Sequence, residues 1–380
     1  MRLLHTSDWH LGRTLHGVDL TAHQSAFCDH LVELVTEHRV DAVLIAGDVY
    51  DRAIPPVESV QLLSATLRRL AERTTVILTP GNHDSAARLG FGAELLTDRV
   101  RILADQRRID TPVRLPGGDG PEVLIYGLPY LDPDVARHTL APEGEVLPRS
   151  HAAVLGAAMD RVREDLAAQG QVRSVVLAHA FVVGGQASDS ERDIRVGGVD
   201  HAPAGIFDGI DYVALGHLHG PQRITDTIRY SGSPLAYSFS EARQHKSTTL
   251  VELDGTEPAR VTLLPAPVPR AMTDLTGTLD QILATEGHGD DWVRVTVTDP
   301  ARPGDLFRRV KARFPHALVI QHQPPVSALT RNTATITPGR DPLEVVGDFI
   351  AHVGGAAPTP QEAAVLRTAY EQVIAAERSA

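Results

Sequence analysis

One cysteine, Cys28, in 380 residues excludes a disulfide framework within the chain, and the cytosol is the compartment that fits this most simply. Cys28 stands in a helical stretch beside Phe27 and Leu31, where it reads as a small buried hydrophobe rather than a reactive thiol. No apolar run approaches the ~20 residues of a membrane span. With 42% hydrophobic and 22% charged residues, the composition is that of a soluble globular chain with no membrane partner. The opening Met1-Arg2-Leu3-Leu4-His5 holds no extended signal-peptide core and runs straight into the first polar motif, so a cleavable leader would remove chemistry. Positive charge is also short, with 36 basic residues against 48 acidic ones and a net charge of −12. That balance argues against a broad electrostatic grip on nucleic acid, because phosphate contacts come from clustered Lys and Arg. It is softened if bound metal neutralises several carboxylates and a basic partner supplies much of the duplex contact. Lysine itself is nearly absent, Lys246 and Lys311 being the exceptions among the basic residues. No internal repeat is visible.

What the chain does have is a set of polar islands, each ending a short apolar run: Asp8-Trp9-His10, Gly47-Asp48, Gly81-Asn82-His83-Asp84, His179 and Gly216-His217-Leu218-His219. The runs at 3–4, 42–46, 76–78, 175–178 and 212–215 are short and rich in β-branched residues, as strands buried on both faces are. In open α/β sheets ligands sit beyond the carboxyl ends of such strands. Taken alone, an Asp-x-His or a Gly-Asp is usually turn chemistry. Gly-Asn-His-Asp is more specific, because the glycine permits a tight turn that presents three polar side chains in succession. The two histidines of Gly-His-Leu-His project to one side of an extended segment. Five strand ends delivering Asp, His and Asn to one cleft point to a binuclear metal site.

Residues 1–266 alternate strands with amphipathic segments such as 22–37 and 57–69, which predicts an α/β core. Within it 224–230, 247–253 and 259–264 suggest successive antiparallel strands. Pro265, Pro267 and Pro269 then interrupt the pattern and place a domain boundary. A second domain over 267–338 contains a β-α-β unit: Val293, Val295 and Val297 alternate on one strand face, Leu306, Phe307, Val310 and Phe314 form a helical stripe, and 317–320 is apolar. The last segment, 339–380, carries a helical pattern at Leu343, Val346, Phe349, Ile350 and Val353. It then has a capping box, Thr359-Pro360-Gln361-Glu362, ahead of a helix with Val365, Leu366, Ala369, Tyr370 and Val373 on one side. Stretches 110–121 and 139–150 read as surface loops.

Thr6-Ser7-Asp8-Trp9-His10-Leu11-Gly12, Ala46-Gly47-Asp48-Val49-Tyr50-Asp51, Ser188-Asp189-Ser190-Glu191-Arg192 and Tyr230-Ser231-Gly232-Ser233-Pro234 narrow the pattern. It resembles the calcineurin-like metallophosphoesterases and, within them, the SbcD family of nuclease subunits from bacterial double-strand-break repair. The resemblance makes 1–266 the nuclease domain and implies an α/β/β/α sandwich of two helix-flanked sheets, with the second domain capping the active site. The terminal helices would dock on an SbcC-type ATPase, or would equally serve by packing on their own domain. It also implies a Mn-dependent 3′-to-5′ exonuclease on double-stranded DNA with single-strand endonuclease activity. Such a subunit is cytoplasmic, nucleoid-associated and a homodimer within a heterotetramer. The dimer contact would fall on helices at 57–70 and 87–96, where Val60, Leu63, Leu67, Leu89, Phe91 and Leu95 would serve equally as core.

Phosphodiester hydrolysis at neutral pH needs a nucleophilic hydroxide and neutralisation of phosphoryl charge, which two divalent ions ~3.5–4 Å apart supply. Asp48, in the central island, is the natural bridging carboxylate. Following the family pattern, Asp8, His10 and His219 would share one ion with Asp48, while Asn82, His179 and His217 would share the other. Mixed oxygen and imidazole donors suit Mn, Fe or Zn, and the resemblance favours Mn. His83 is then free to orient the phosphate or protonate the leaving 3′ oxygen, with Asp84 fixing its tautomer or merely capping the helix that starts near Ser85. Asp51 stands where archaeal and eukaryotic relatives often have His. Arg13 and His16 could touch a DNA backbone, although solvated surface suits them as well. Residues 188–192 would line the path of a DNA strand on family grounds only, and His5, His23, His30 and His201 read as structural. Two rivals stand beside the nuclease: a small-molecule phosphodiesterase of the same superfamily, which the acidic charge favours, and a scaffold that has lost chemistry, which a complete ligand set disfavours.

Overall fold

The computed structural model describes residues 1–96, 98–118, 120–191, 201–325, 340–354 and 357–377. Contacts divide the chain into two units, Met1–Pro324 and Pro325–Ala380.

The larger unit is built on two six-stranded sheets. One runs Arg260–Pro265, Ser247–Glu252, Arg2–Thr6, Ala42–Ala46, Thr75–Thr79, Val100–Ile102 in spatial order, and the other Gln222–Arg223, Ile228–Tyr230, Tyr212–Gly216, Val172–His179, Glu122–Leu128, Val113–Leu115. The three strands Arg2–Thr6, Ala42–Ala46 and Thr75–Thr79 are neighbours and parallel, with Leu4 opposite Val43 and Val43 opposite Val76. Val172–His179 and Tyr212–Gly216 are parallel neighbours in the second sheet, ending with Gly216 opposite His179. All five polar islands are thereby delivered at carboxyl ends of adjacent parallel strands, where open sheets bind ligands.

Alternation sorts each strand between two cores. Leu3, Leu44 and Ile77 meet Val175, Leu177, Tyr212 and Ala214 between the sheets. The intervening Leu4, Val43, Ile45, Val76 and Leu78 pack instead on Phe27, Cys28, Leu31 and Val35 of the helix Thr21–Glu37. On the far side Val176, Ala178, Val213 and Leu215 pack on Val154, Leu155, Ala158, Met159 and Val162 of the helix His151–Ala168. The layers are therefore helix, sheet, sheet, helix. His5 couples the two sheets: its Nδ1 lies 3.0 Å from the Tyr212 hydroxyl and its Nε2 3.1 Å from the carbonyl of Leu215. Burial pushes its pKa down to about 3, so it is a neutral core group.

One expectation fails. Segments 247–253 and 259–264 do pair antiparallel, with Thr249 opposite Leu263, but 224–230 is not their antiparallel neighbour. Ile228–Tyr230 joins the second sheet, parallel to Tyr212–Gly216. The reason is Tyr230, whose buried hydroxyl accepts from the Val182 N–H and donates to the Ala180 carbonyl, each at 2.8 Å, which anchors the strand there.

A third, three-stranded parallel sheet, Met272–Gly277, Trp292–Val297, Ala317–His322, carries the helices Leu279–Ala284 and Leu306–Arg313. Val293, Val295, Val297, Leu306, Val310 and Phe314 form its own core. The β-α-β unit read from the sequence is present; its first strand and the helix capped by Thr278 and Gln281 precede it. Trp292 leaves this core to pack with Leu15, Leu20, Leu235 and Tyr237 at the rim of the main sandwich, and His23 meets its ring edge-on at 5.3 Å.

In the smaller unit the helices Pro342–Gly354 and Pro360–Glu377 pack on one another. The Thr359 capping box forms as expected, with the Glu362 carboxylate accepting from the Thr359 N–H at 2.8 Å. The Val353 side chain lies outside what is described. Among the described residues no helix is long and apolar enough to cross a membrane.

Candidate metal centre

The loops after the first two parallel strands zip together before they diverge. Asp8 N–H donates to the Gly47 carbonyl at 3.0 Å, and His10 N–H to that of Asp48 at 2.9 Å. Left-handed backbone then turns the side chains inward: Asp8, His10, Asp48 and His217 have φ of 53°, 44°, 49° and 111°. Two glycines make room. A Cβ on Gly81 would lie 2.1 Å from Asp48 Oδ1, and one on Gly47 2.4 Å from His179 Nδ1.

Asp48 is the hub. Its Oδ1 accepts from the His83 N–H at 2.8 Å. Its Oδ2 lies 3.5 Å from His179 Nε2, 3.7 Å from His10 Nε2 and 3.9 Å from His83 Nε2. Asp8, His10 and His219 bring one donor atom each within 4.8 Å of one another; so do Asp8, Asp48 and His179, and so do His10, Asp48 and His83. Asn82 Oδ1 closes the far side, 2.8 Å from His179 Nε2 and 3.3 Å from His217 Nδ1. All seven residues expected as ligands from the sequence, Asp8, His10, Asp48, Asn82, His179, His217 and His219, thus converge in one cluster.

The electrostatics of the cluster suit a cation. Burial, then the charge of Asp48, raises the pKa of Asp8 well above the carboxylate range. Burial, then neighbouring imidazoles, holds His10 and His217 well below the usual histidine value, and burial lowers His179 as well. Neutral imidazoles keep lone pairs for coordination. His179 Nδ1 donates to the Ala46 carbonyl at 2.9 Å, which leaves Nε2 to face Asp48. His10 Nε2 and His219 Nε2 face each other at 3.1 Å, a distance suited to two donors sharing one ion, while the buried His10 Nδ1 has no hydrogen-bond partner among the described residues. Imidazole nitrogens mixed with carboxylate and amide oxygens fit a divalent transition ion better than calcium. The Asp and His clusters are able to bind metal ions.

Three expectations need correction. Asp84 does not hold the ring of His83. Its carboxylate accepts from the N–H groups of Val49, Tyr50 and Gly81, at 3.0, 2.9 and 2.9 Å, so it locks the Asp48 loop to the Gly81 turn. Burial, then Asp48, pushes it up to about 7, although three N–H donors favour its charged form. Nor does it cap the following helix, because Ser85 does. The ring of His83 is held by a main-chain oxygen, that of Asp51, 2.8 Å from Nδ1; this leaves Nε2 toward Asp48. Finally, the polar groups of Ser190 and Glu191 turn inward to His219, with Ser188 bracing Glu191, and Arg192 lies outside the described residues.

Asp51 turns its carboxylate toward His10 Nδ1 and Arg13, each at 3.7 Å. Arg13, Thr14, Asp51, Arg52 and His83 line a groove of about 450 Å³ beside the cluster. Arg13 sits over the Tyr237 ring at 5.0 Å and donates to the Ser190 carbonyl, so it is a braced guanidinium at the rim. Sequence reasoning missed Glu241 and Lys246, which pair in the interior beneath His219. The signal was there: Lys246 is one of two lysines in a chain whose other basic residues are all arginine.

A four-layer sandwich with buried Asp and His and a partly buried Asn converging at the ends of parallel strands defines a metal-binding hydrolase of phosphoesters. The chain belongs to the calcineurin-like phosphoesterase family, whose model matches residues 1–221. A second model, SbcD_C, described as the type 5 capsule protein repressor C-terminal domain, matches residues 268–353, and together the two mark an SbcD-type metallophosphoesterase. Solved structures similar to it include a dimetal phosphatase from Danio rerio, at 13% identity and a TM-score of 0.41, with 70% of this chain and 97% of that one covered. Another is a protein from Thermus thermophilus, at 15% identity and a TM-score of 0.39, covering 69% and 98%. GAP50, the anchor in the inner membrane complex of Plasmodium, matches at 10% identity and a TM-score of 0.39, covering 70% and 84%.

Proposed function

We propose that this chain is a Mn-dependent nuclease, a 3′-to-5′ exonuclease on double-stranded DNA with single-strand endonuclease activity, and the SbcD-type subunit of a complex with an SbcC-type ATPase. In this reading it is cytoplasmic and nucleoid-associated, with a nuclease domain over 1–266, a cap over 267–338 and a partner-docking segment over 339–380. The observation that carries it is the three-stranded sheet fixed through Trp292 against Leu15, Leu20 and Tyr237, at the rim where Tyr237 also meets the rings of His10 and His219. A small-molecule esterase has no need of a second folded module at that edge, whereas an enzyme that must admit only certain DNA ends does. The net charge of −12 favours the small-molecule reading, and the braced Arg13 together with Arg52 beside His83 offers a local phosphate contact that the overall charge hides.

Two bound divalent ions would supply a hydroxide nucleophile at neutral pH and neutralise charge on the phosphoryl oxygens. Asp8, His10, Asp48 and His219 would hold one and Asp48, Asn82, His179 and His217 the other. The chain's own contribution at the scissile bond is His83. With its Nδ1–H tied to the Asp51 carbonyl, its Nε2 faces the centre, and in the imidazolium form, with a proton on both nitrogens, the ring would hand the Nε2 proton to the leaving 3′ oxygen and return to neutral. Purified chain with Mn and end-labelled duplex should give a mononucleotide ladder from the 3′ ends. Intact duplex with rapid hydrolysis of bis-p-nitrophenyl phosphate would establish the small-molecule enzyme instead.

A homodimer completes the reading. Of the apolar residues suggested for its contact, Leu63 and Leu89 are core, whereas Val60, Phe91 and Leu95 are 43%, 88% and 89% exposed, alongside Ile54 and Val57 at 68% and 65%. Large apolar side chains left this exposed are available to an association surface. Phe91→Asp is expected to turn a dimer into a monomer by light scattering at micromolar concentration; a monomeric parent protein would sink the assignment.

A further inference from the structure

His219 is held at several points by the rest of the chain. Its Nδ1 lies 2.7 Å from Ser190 Oγ and 3.3 Å from Glu241 Oε1. Ser190 Oγ donates to that same Glu241 oxygen, and a hydroxyl that has given its one hydrogen away can only accept elsewhere. The proton between His219 and Ser190 therefore sits on Nδ1, and Nε2 keeps its lone pair toward His10. Behind this line Lys246 pairs with Glu241. The ammonium also reaches Ser233 Oγ at 2.9 Å, Gln244 Oε1 at 2.8 Å and the His219 carbonyl at 2.8 Å. Glu191 takes the His219 N–H at 2.8 Å. Every polar group of His219 except Nε2 is fixed.

A buried ion pair is a poor device for stability alone, since desolvation offsets the attraction and an apolar pair of similar volume would hold the loop as well. Its orientation toward one imidazole is what needs explaining. We propose that Ser190, Glu241 and Lys246 form a positioning relay that fixes the tautomer and ring plane of His219 and strengthens its Nε2 as a donor to one metal ion of the pair. His179 is backed differently, by the neutral Ala46 carbonyl. The two ion positions are therefore chemically unequal, and the relay serves only the one that includes His219. Partners of this kind set the basicity of the ligand they back. A compact ammonium with three divergent donors suits the pocket, where the planar fork of Arg would not.

The inference rests on the two-ion reading, and one titration separates them. Full-length chain is titrated with Mn²⁺, following the free-ion signal by electron paramagnetic resonance, and the melting temperature of the metal-free protein is measured beside it. The parent protein should take up two ions; uptake of none overturns the two-ion reading and the relay with it. Glu241→Gln should lose about 10–100-fold in affinity for one ion and leave the other unchanged, and Ser190→Ala should weaken that same ion by a smaller factor. If both ions weaken equally, or the melting temperature falls while neither affinity moves, the cluster is scaffold and the proposal is wrong. Should Glu241→Gln fail to fold, Ser190→Ala decides, because it leaves the Glu241–Lys246 pair in place; unchanged affinity for both ions would then overturn the relay.

Discussion

His83→Ala is expected to lower phosphodiester turnover by about 10²–10⁴-fold, the range of a positioned general acid, while the protein still takes up the same number of Mn ions. The two halves of that result follow from different atoms of one residue. The main-chain N–H of His83, which donates to Asp48 Oδ1 at 2.8 Å, survives the substitution and keeps the hub carboxylate oriented. The imidazole, tied at Nδ1 to the Asp51 carbonyl, is lost along with its Nε2. His83 also stands with His10 and Asp48 in a group able to hold an ion. Ion uptake is therefore the deciding measurement, and a fall from two ions to one in calorimetry would make His83 a ligand. A leaving group that needs little protonation, such as p-nitrophenolate, should suffer much less than DNA in the same variant, whereas a lost ligand would slow both alike.

Asp48→Ala should be more damaging. Asp48 Oδ2 lies within 3.5–3.9 Å of three imidazole nitrogens, and its backbone turn is held by Asp84 through the two residues that follow it. Stabilisation of phosphoryl charge by metal is worth several kcal/mol, which at about 1.4 kcal/mol per decade is ~10³-fold or more in rate. Loss of the shared carboxylate should remove that with both substrates, together with Mn uptake at one or both positions. The fold should persist, because the Asp84 contacts to the Val49 and Tyr50 N–H groups do not involve the Asp48 side chain. Near-normal hydrolysis by a folded Asp48→Ala protein would refute the bridging role.

The chain's strand ends were legible because two periods coincide in them. A run such as 42–46 is apolar on both faces, which only a strand between a helix layer and another sheet requires, and the polar residues that follow have nowhere to go but the cleft. The three valines at 293, 295 and 297 were legible for a different reason, the alternation of a strand with one buried face. Contacts at long range were not. The Ile228–Tyr230 strand was misassigned because its partner is chosen by the Tyr230 hydroxyl meeting Ala180 and Val182, about fifty residues earlier, and no local pattern reports that. Asp84 was given to its neighbour in sequence, His83, when the turn at Gly81 points its carboxylate at the Asp48 loop. Glu241 and Lys246 lie outside every motif that ends a strand, and only the third dimension brings them beneath His219.

The left-handed backbone at Asp8, His10, Asp48 and His217 has a further meaning for how long the protein survives. Sparsely populated conformations cost of order 1–3 kcal/mol each, in a region that already confines two carboxylates and several imidazoles. That cost is set against the burial and hydrogen bonds of the loops, and ligands that bind only the native state would offset it. Without ions these loops would open more readily, and the opened chain is what proteases take. The abundance of the enzyme would then follow the cell's supply of metal directly, with starvation thinning the population of molecules before any regulator acted on it.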